Sequence, residues 1–196
     1  MSKEIVAATG NRHKLREIRR ILEPHGITVL GSRDVGGIPT VEETCDTFVG
    51  NASKKAYEVA CAIGRTVLAD DSGLEVFALN GRPGVLSARY AGNQAPDAKN
   101  VAKLLAEMTD VKERKARFVC VIALAGPTGV AGTAEGEVRG RIIAQPRGSN
   151  GFGYDPVFVP AGYSVTFAEL EADEKNRISH RSAALQAVLP LLLDTI

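Results

Sequence analysis

Four clusters of polar residues in this 196-residue sequence have types and spacings that could do chemistry. The first is Thr9-Gly10-Asn11-Arg12-His13-Lys14, where a short apolar run gives way to helical spacing. A helix start offers unpaired N–H groups and a partial positive charge, and Arg12 and Lys14 add the cations a phosphate needs. The spacing is not that of a Walker A loop. A capped helix start with surface cations explains the same residues. The second cluster is acidic, Glu42-Glu43 in a long loop and Asp70-Asp71 at the expected end of a strand. Carboxylates at the carboxyl end of a strand in an α/β sheet lie where ligands usually bind. One or two of them, with substrate phosphates, suffice for a magnesium ion. Asp70-Asp71-Ser72-Gly73 is equally good as a solvated turn.

The third cluster is Gly148-Ser149-Asn150-Gly151-Phe152-Gly153-Tyr154-Asp155-Pro156, two aromatics in a polar loop of a chain only 5% aromatic. A planar ligand could stack on Phe152 or Tyr154 while Asp155 meets its edge. A hairpin anchored to the core by its aromatics is the plainer explanation. The fourth is Lys175 with Ser179-His180-Arg181, a helix cap followed by donors for carbonyl or phosphate oxygens. With no G-x-S-x-G elbow, a Ser-His-Asp triad is a poor reading.

The elements that must position these residues follow from the apolar periodicity. Strands are expected at Glu4 to Ala8, Ile27 to Leu30, Thr66 to Ala69, Ala116 to Ala125, Thr133 to Ile143 and Val157 to Val159. Leu74 to Leu79 continues as strand or extended chain. Helices are expected from Leu15 to Leu22, from about Thr47 to Ile63, from Asp97 to Met108, and after Ser179. Ala116 to Ala125 is nearly all apolar and so should be central. Strands and helices interleave, so the class is α/β with a long mixed sheet rather than a pure doubly wound one. No repeat or linker divides the chain, which reads as one domain over 1–196.

Composition narrows the function. Lys plus Arg total 24 against 23 Asp plus Glu, for a net charge of +1, which argues against a broad nucleic-acid-coating surface. At 44% hydrophobic the chain can build a core unaided. Cys45, Cys61 and Cys120 are an odd set without metal or disulfide spacing. No apolar stretch approaches the ~20 residues of a spanning helix, and no leader is evident. A cytoplasmic protein without membrane or nucleic-acid partners is expected.

The clusters, in this order, resemble the inosine triphosphate pyrophosphatase family from Ile5 to about Leu193. The carrying motifs are Thr9-Gly10-Asn11…Lys14, Glu42-Glu43-Thr44…Thr47-Phe48 and Asn51-Ala52…Lys55-Ala56, followed by Ala69-Asp70-Asp71-Ser72-Gly73-Leu74 and Pro83-Gly84…Ser87-Ala88-Arg89-Tyr90. Gly151-Phe152-Gly153-Tyr154-Asp155-Pro156 and Ser179-His180-Arg181 complete the set. The resemblance implies magnesium-dependent hydrolysis of ITP, dITP or XTP to the monophosphate and pyrophosphate. It also implies a two-lobed fold with a cleft between the lobes, and a homodimer. By position, Thr9, Gly10, Asn11, Arg12, His13 and Lys14 would hold the triphosphate. Glu43 and Asp71 would bind Mg²⁺, with Asp71 also accepting the water's proton, and Lys55 would face the phosphates. Ser72 would touch substrate; Phe152, Gly153, Tyr154, Asp155, Lys175, His180 and Arg181 would hold the base.

Two positions depart from the family pattern: Cys45 replaces a usual Gly, and Gly50 a usual Glu. The second removes a carboxylate near the implied metal, and restoring it should change metal affinity only modestly, by about 1 kcal/mol. On this reading, water attacks the α-phosphorus while Mg²⁺, Lys14 and Lys55 offset the leaving group's charge. Selection of hypoxanthine or xanthine over adenine needs a donor facing the 6-oxo group, with His180 and Arg181 as candidates. A pyrophosphatase acting on pyrimidine or modified nucleotides is the near rival, and a nucleotide-binding module without turnover the distant one. The base-loop residues oppose the first and the acidic pair opposes the second.

Overall fold

In the computed structural model, which describes residues 3–196, the chain forms two compact units, each with its own core. The first comprises residues 3–71, 120–136 and 181–196; the second comprises 72–119 and 137–180. Six strands form one mixed sheet in the order β2-β1-β3-β4-β5-β6. They are β1 Lys3–Ala7, β2 Ile27–Leu30, β3 Val67–Val76, β4 Lys115–Gly126, β5 Gly129–Ile142 and β6 Phe158–Pro160. Strand β1 runs parallel to β2, with Lys3 opposite Ile27, and parallel to β3, with Val6 opposite Val67. β5 and β6 are antiparallel, with Arg141 opposite Val159. The α/β class, the mixed sheet and the central place of β4 are as the sequence implies.

In the first unit, α1 (Arg12–Leu22), α2 (Phe48–Ile63) and α5 (His180–Thr195) supply the helices. Its core joins Ile18 and Leu22 of α1 to Ile5, Val29, Leu68 and Ile122 of the strands, and to Leu185 and Val188 of α5. The i, i+4 spacing of Ile18 and Leu22 puts both on one helix face. Thr47 caps α2 by accepting the Gly50 N–H, and Phe48, Ala52, Ala56, Val59 and Ala60 form its buried side. In the second unit, α3 (Asp97–Glu107) and α4 (Ala172–Ile178) accompany a core of Leu74, Leu104, Met108, Phe118, Phe158 and Phe167.

One expectation needs correction, and one helix was not expected. Asp70-Asp71-Ser72-Gly73 neither ends a strand nor turns: all four lie inside the ten-residue β3. Side-chain partners of the two carboxylates, described below, remove the solvation that a turn would have supplied. The helix α4 had no sequence signal, because seven residues reading ADEKNRI carry too few apolar positions to show a period. Among the described residues, no helix is long and apolar enough to cross a membrane.

Candidate active site

The first unit gathers carboxylates and cations around the middle of β3. Successive side chains of a strand point to opposite faces, so Asp70 and Asp71 meet different partners. Asp70 accepts from Lys14 Nζ at 2.9 Å and from Arg181 Nη2 at 3.1 Å. Arg181, fully buried, also pairs through Nη1 with Glu17 of α1. Burial alone would make Asp70 a weaker acid, but Lys14, Arg181 and Lys55 outweigh it and hold the carboxyl well below the usual carboxylate range. Arg181 responds in the opposite sense: burial opposes its charge, and Asp70, Cys120 and Glu17 more than restore it.

Asp71 accepts from Asn51 Nδ2 at 3.0 Å. Burial and the neighbouring charge of Glu43 push its pKa up to about 6, against the downward pull of Lys14, Lys55 and Asn51. Lys55 Nζ lies 2.6 Å from Glu43 Oε1. Desolvation of Lys55 is outweighed by Asp70, Glu43 and Asp71, so its pKa is raised and it stays charged. A carboxyl with its pKa raised toward neutrality thus stands among ammonium groups and a second carboxylate.

The Thr9-to-Lys14 segment is built as a capped helix start. Asn11 Oδ1 accepts from the His13 and Lys14 N–H groups at 2.8 and 3.2 Å, and Thr9 Oγ1 accepts from Asn11 N–H. Those two helix N–H groups are therefore engaged by the protein. What the segment offers an anion is its cationic side chains: the first turn carries Arg12, His13 and Lys14 and no acid. Three basic residues at the positive end of a helix run against the macrodipole preference.

The second unit holds the aromatic loop. Gly151 has φ +76°, and a Cβ there would collide with the Asp155 carboxylate, so the glycine permits both the turn and the close approach. Asp155, buried, accepts from Phe152 N–H at 2.9 Å and pairs with Lys175 Nζ at 2.7 Å. Lys175 Nζ lies 4.9 Å from the centre of the Phe152 ring. Gly153 N–H donates to Asp97 at 2.6 Å. Tyr154 turns inward: it is buried in the core and its hydroxyl donates to the Ser87 carbonyl at 2.9 Å. His180 is buried and stacks on Phe118, with centroids 4.8 Å apart and planes at 12°. Ser72 follows Asp71 on β3 and is half-buried.

Thus Lys14, Glu43, Lys55, Asp70, Asp71 and Arg181 come together in one unit, and Phe152, Asp155 and Lys175 in the other. Two neighbours of these residues, Glu17 and Asn51, were given no site role from sequence. Glu17 is the one acid among six basic residues between Arg12 and Arg20, a signal that it balances a buried cation. Asn51 is a lone amide on the apolar side of α2, and a buried amide there demands partners.

A model of the Ham1 family matches residues 5–191. A protein of Bacillus licheniformis named dITP/XTP pyrophosphatase is 48% identical over 192 residues, spanning 97% of this chain and 98% of that protein. A protein of the same name from Syntrophobacter fumaroxidans is 52% identical over 181 residues, covering 92% of this chain and 78% of that protein. The solved structure of a HAM1 protein from Coxiella burnetii superposes with a TM-score of 0.88 at 42% identity, covering 98% of this chain and 99% of that one.

Proposed function

This chain belongs to the Ham1 family, and from that premise we propose that it hydrolyses ITP, dITP and XTP to the nucleoside monophosphate and pyrophosphate, removing non-canonical purines from the nucleotide pool. The observation that carries this reading is Asp71, a buried carboxyl with its pKa pushed up to about 6, beside Glu43 and the ammonium groups of Lys14 and Lys55. A module that only binds nucleotides has no use for a base poised near neutrality.

In the hydrolysis, water attacks the α-phosphorus and passes a proton to Asp71. The bond to the bridging oxygen breaks, and pyrophosphate departs with its electrons. Lys14 and Lys55 face the charge that accumulates on the leaving group. Asp70, kept ionised, holds Lys14 and Arg181 in place. Glu43 and Asp71 fit a hard divalent cation: they are oxygen donors whose charges oppose one another. Among the described residues no three His, Cys, Asp or Glu side chains group to hold a metal. The remaining oxygens would then come from triphosphate and water, as Mg²⁺ favours. Magnesium, when bound, supplies charge neutralisation and polarisation of the phosphoryl oxygens.

For the base, Phe152 offers the stacking face, and Asp155 and Lys175 the polar edge. Tyr154 anchors the loop from the core side and Gly153 ties it to Asp97. Arg181 is assigned to Asp70 and Glu17 rather than to the 6-oxo group, because its Nε, Nη1 and Nη2 already face those carboxylates. His180 then stands as the donor to a 6-oxo purine. The resemblance also carries a homodimer and a cytoplasmic location, which sedimentation and cell fractionation would check. Pyrophosphate release from ITP, XTP, dITP, GTP, ATP and pyrimidine triphosphates, each with and without Mg²⁺, tests the activity. Turnover of ATP as fast as ITP would refute it.

A further inference from the structure

Asn51 is fully buried in the first turn of α2, among Phe48, Ala52 and Ala56. The Cys45 N–H donates to its Oδ1 at 2.9 Å. A backbone N–H can only donate, so the side-chain atom that faces it must be the amide oxygen. That fixes the sense of the amide. The atom turned toward Asp71 Oδ2, 3.0 Å away, is therefore the NH₂ group, and it donates.

The Cys45 end of this relay rests on a notch in the helix. A Cβ built on Gly50 would lie 2.8 Å from Cys45 Cβ and 3.1 Å from its Sγ, closer than side chains pack. Cys45 fills the space that a larger residue at position 50 would claim, and its N–H thereby reaches the Asn51 oxygen. Thr47, the cap of the same helix, lies 3.0 Å from that Cβ position through Oγ1. The helix start, the preceding loop and the amide form one packed piece.

We propose that Asn51 is the positioning residue for Asp71, with its amide oriented by Cys45 seated on Gly50. The proposal rests on the reading of Asp71 as the proton acceptor. A carboxylate torsion is broad and roughly two-fold, so an unheld carboxyl would sample orientations in which it misses the water. The N–H on Oδ2 narrows that range by restraining one carboxylate oxygen. Asn51 itself touches neither phosphate nor base in this account, so its loss should leave substrate binding alone.

The test compares Asn51→Leu, which removes both polar groups at similar volume, with Asn51→Ala, which removes them and most of the side chain. Each should lower kcat for ITP about 10- to 100-fold, as loss of an orienting partner does. KM should stay within about twofold. Gly50→Ala should also lower kcat, and Cys45→Gly/Gly50→Ala should restore most of it, since the Cys45→Gly change keeps the N–H while clearing the space. Asp71→Asn is run alongside. If Asp71→Asn keeps turnover, the reading of Asp71 has failed. If it is inactive while folded Asn51→Leu keeps wild-type kcat, the positioning role is overturned. Should the Asn51 variants not fold, the side-chain NH₂ resonances of Asn51 in wild type and Asp71→Asn decide. A shift confined to Asn51, with buried Asn100 unmoved, supports the contact; no shift overturns it.

Discussion

Asp70 and Asp71 are consecutive on one strand, yet the fold drives their carboxyls in opposite directions. Lys14 and Arg181 close on Asp70 and keep it ionised, whereas burial and Glu43 raise Asp71 to about 6. The first is a fixed anion that arranges cations. The second is a base that can take a proton and release it near neutral pH.

Asp71→Asn should abolish ITP turnover and leave the fold intact. In wild type, kcat/KM should fall about tenfold per pH unit below the pKa of Asp71, which lies at about 6 without metal and lower once Mg²⁺ is bound, because the base must be ionised. Stability should move the other way. A carboxyl raised in the folded state from 3.8 to about 6 favours the fold when protonated, and this contribution is lost as pH rises through that interval. In a chelator at pH 7, Asp71→Asn should therefore melt above wild type, by on the order of 3 kcal/mol at most. The gap should close toward pH 4. Melting curves at both pH values check it; an Asn variant less stable at pH 7 would contradict it.

Arg181→Ala should cost about 3–5 kcal/mol of stability, since it takes from the buried Asp70 one of its paired cations and breaks the pair with Glu17. Its residual activity on ITP and ATP should fall by the same factor. Urea titration and parallel assays measure both. A selective loss on ITP would return Arg181 to the base, as the family resemblance implies.

Lys14→Ala removes the ammonium that lies 2.9 Å from Asp70, at the start of α1. Both kcat and KM for ITP should worsen. If both stay within about twofold, Lys14 contributes less than about 0.5 kcal/mol and is only a structural partner of Asp70.

On the sequence reading, Gly50→Glu changes metal affinity only modestly, by about 1 kcal/mol. The structure turns it into a packing problem, because Cys45 already occupies that space. Overpacking of this kind typically costs about 1–3 kcal/mol. Gly50→Glu should lower the melting temperature, and Cys45→Gly should recover it. Positions 45 and 50 share one volume, so a larger residue at 50 calls for a smaller one at 45.

Much of this was legible in the sequence for identifiable reasons. The run from Glu4 to Ala8, and the periodic Ile18 and Leu22, located β1 and α1. Inward apolar spacing from Phe48 to Ala60 did the same for α2. The β3 segment was misread because Asp-Asp-Ser-Gly favours turns locally, and only distant cations and an amide keep two acids inside a strand. The roles of Tyr154 and Arg181 depended on which way a side chain points, and spacing alone does not settle that. Tyr154 faces the core, and Arg181 faces two acids 111 and 164 positions away in sequence.

The central claim is that Asp71 directs water to the α-phosphorus of a 6-oxo purine triphosphate. Hydrolysis of ITP in ¹⁸O-labelled water with Mg²⁺, followed by mass spectrometry of the products, tests it most directly. The account predicts label in the inosine monophosphate and none in the released pyrophosphate, with the reaction absent in Asp71→Asn. Label in pyrophosphate, or formation of inosine diphosphate and phosphate, would place the attack elsewhere and contradict it.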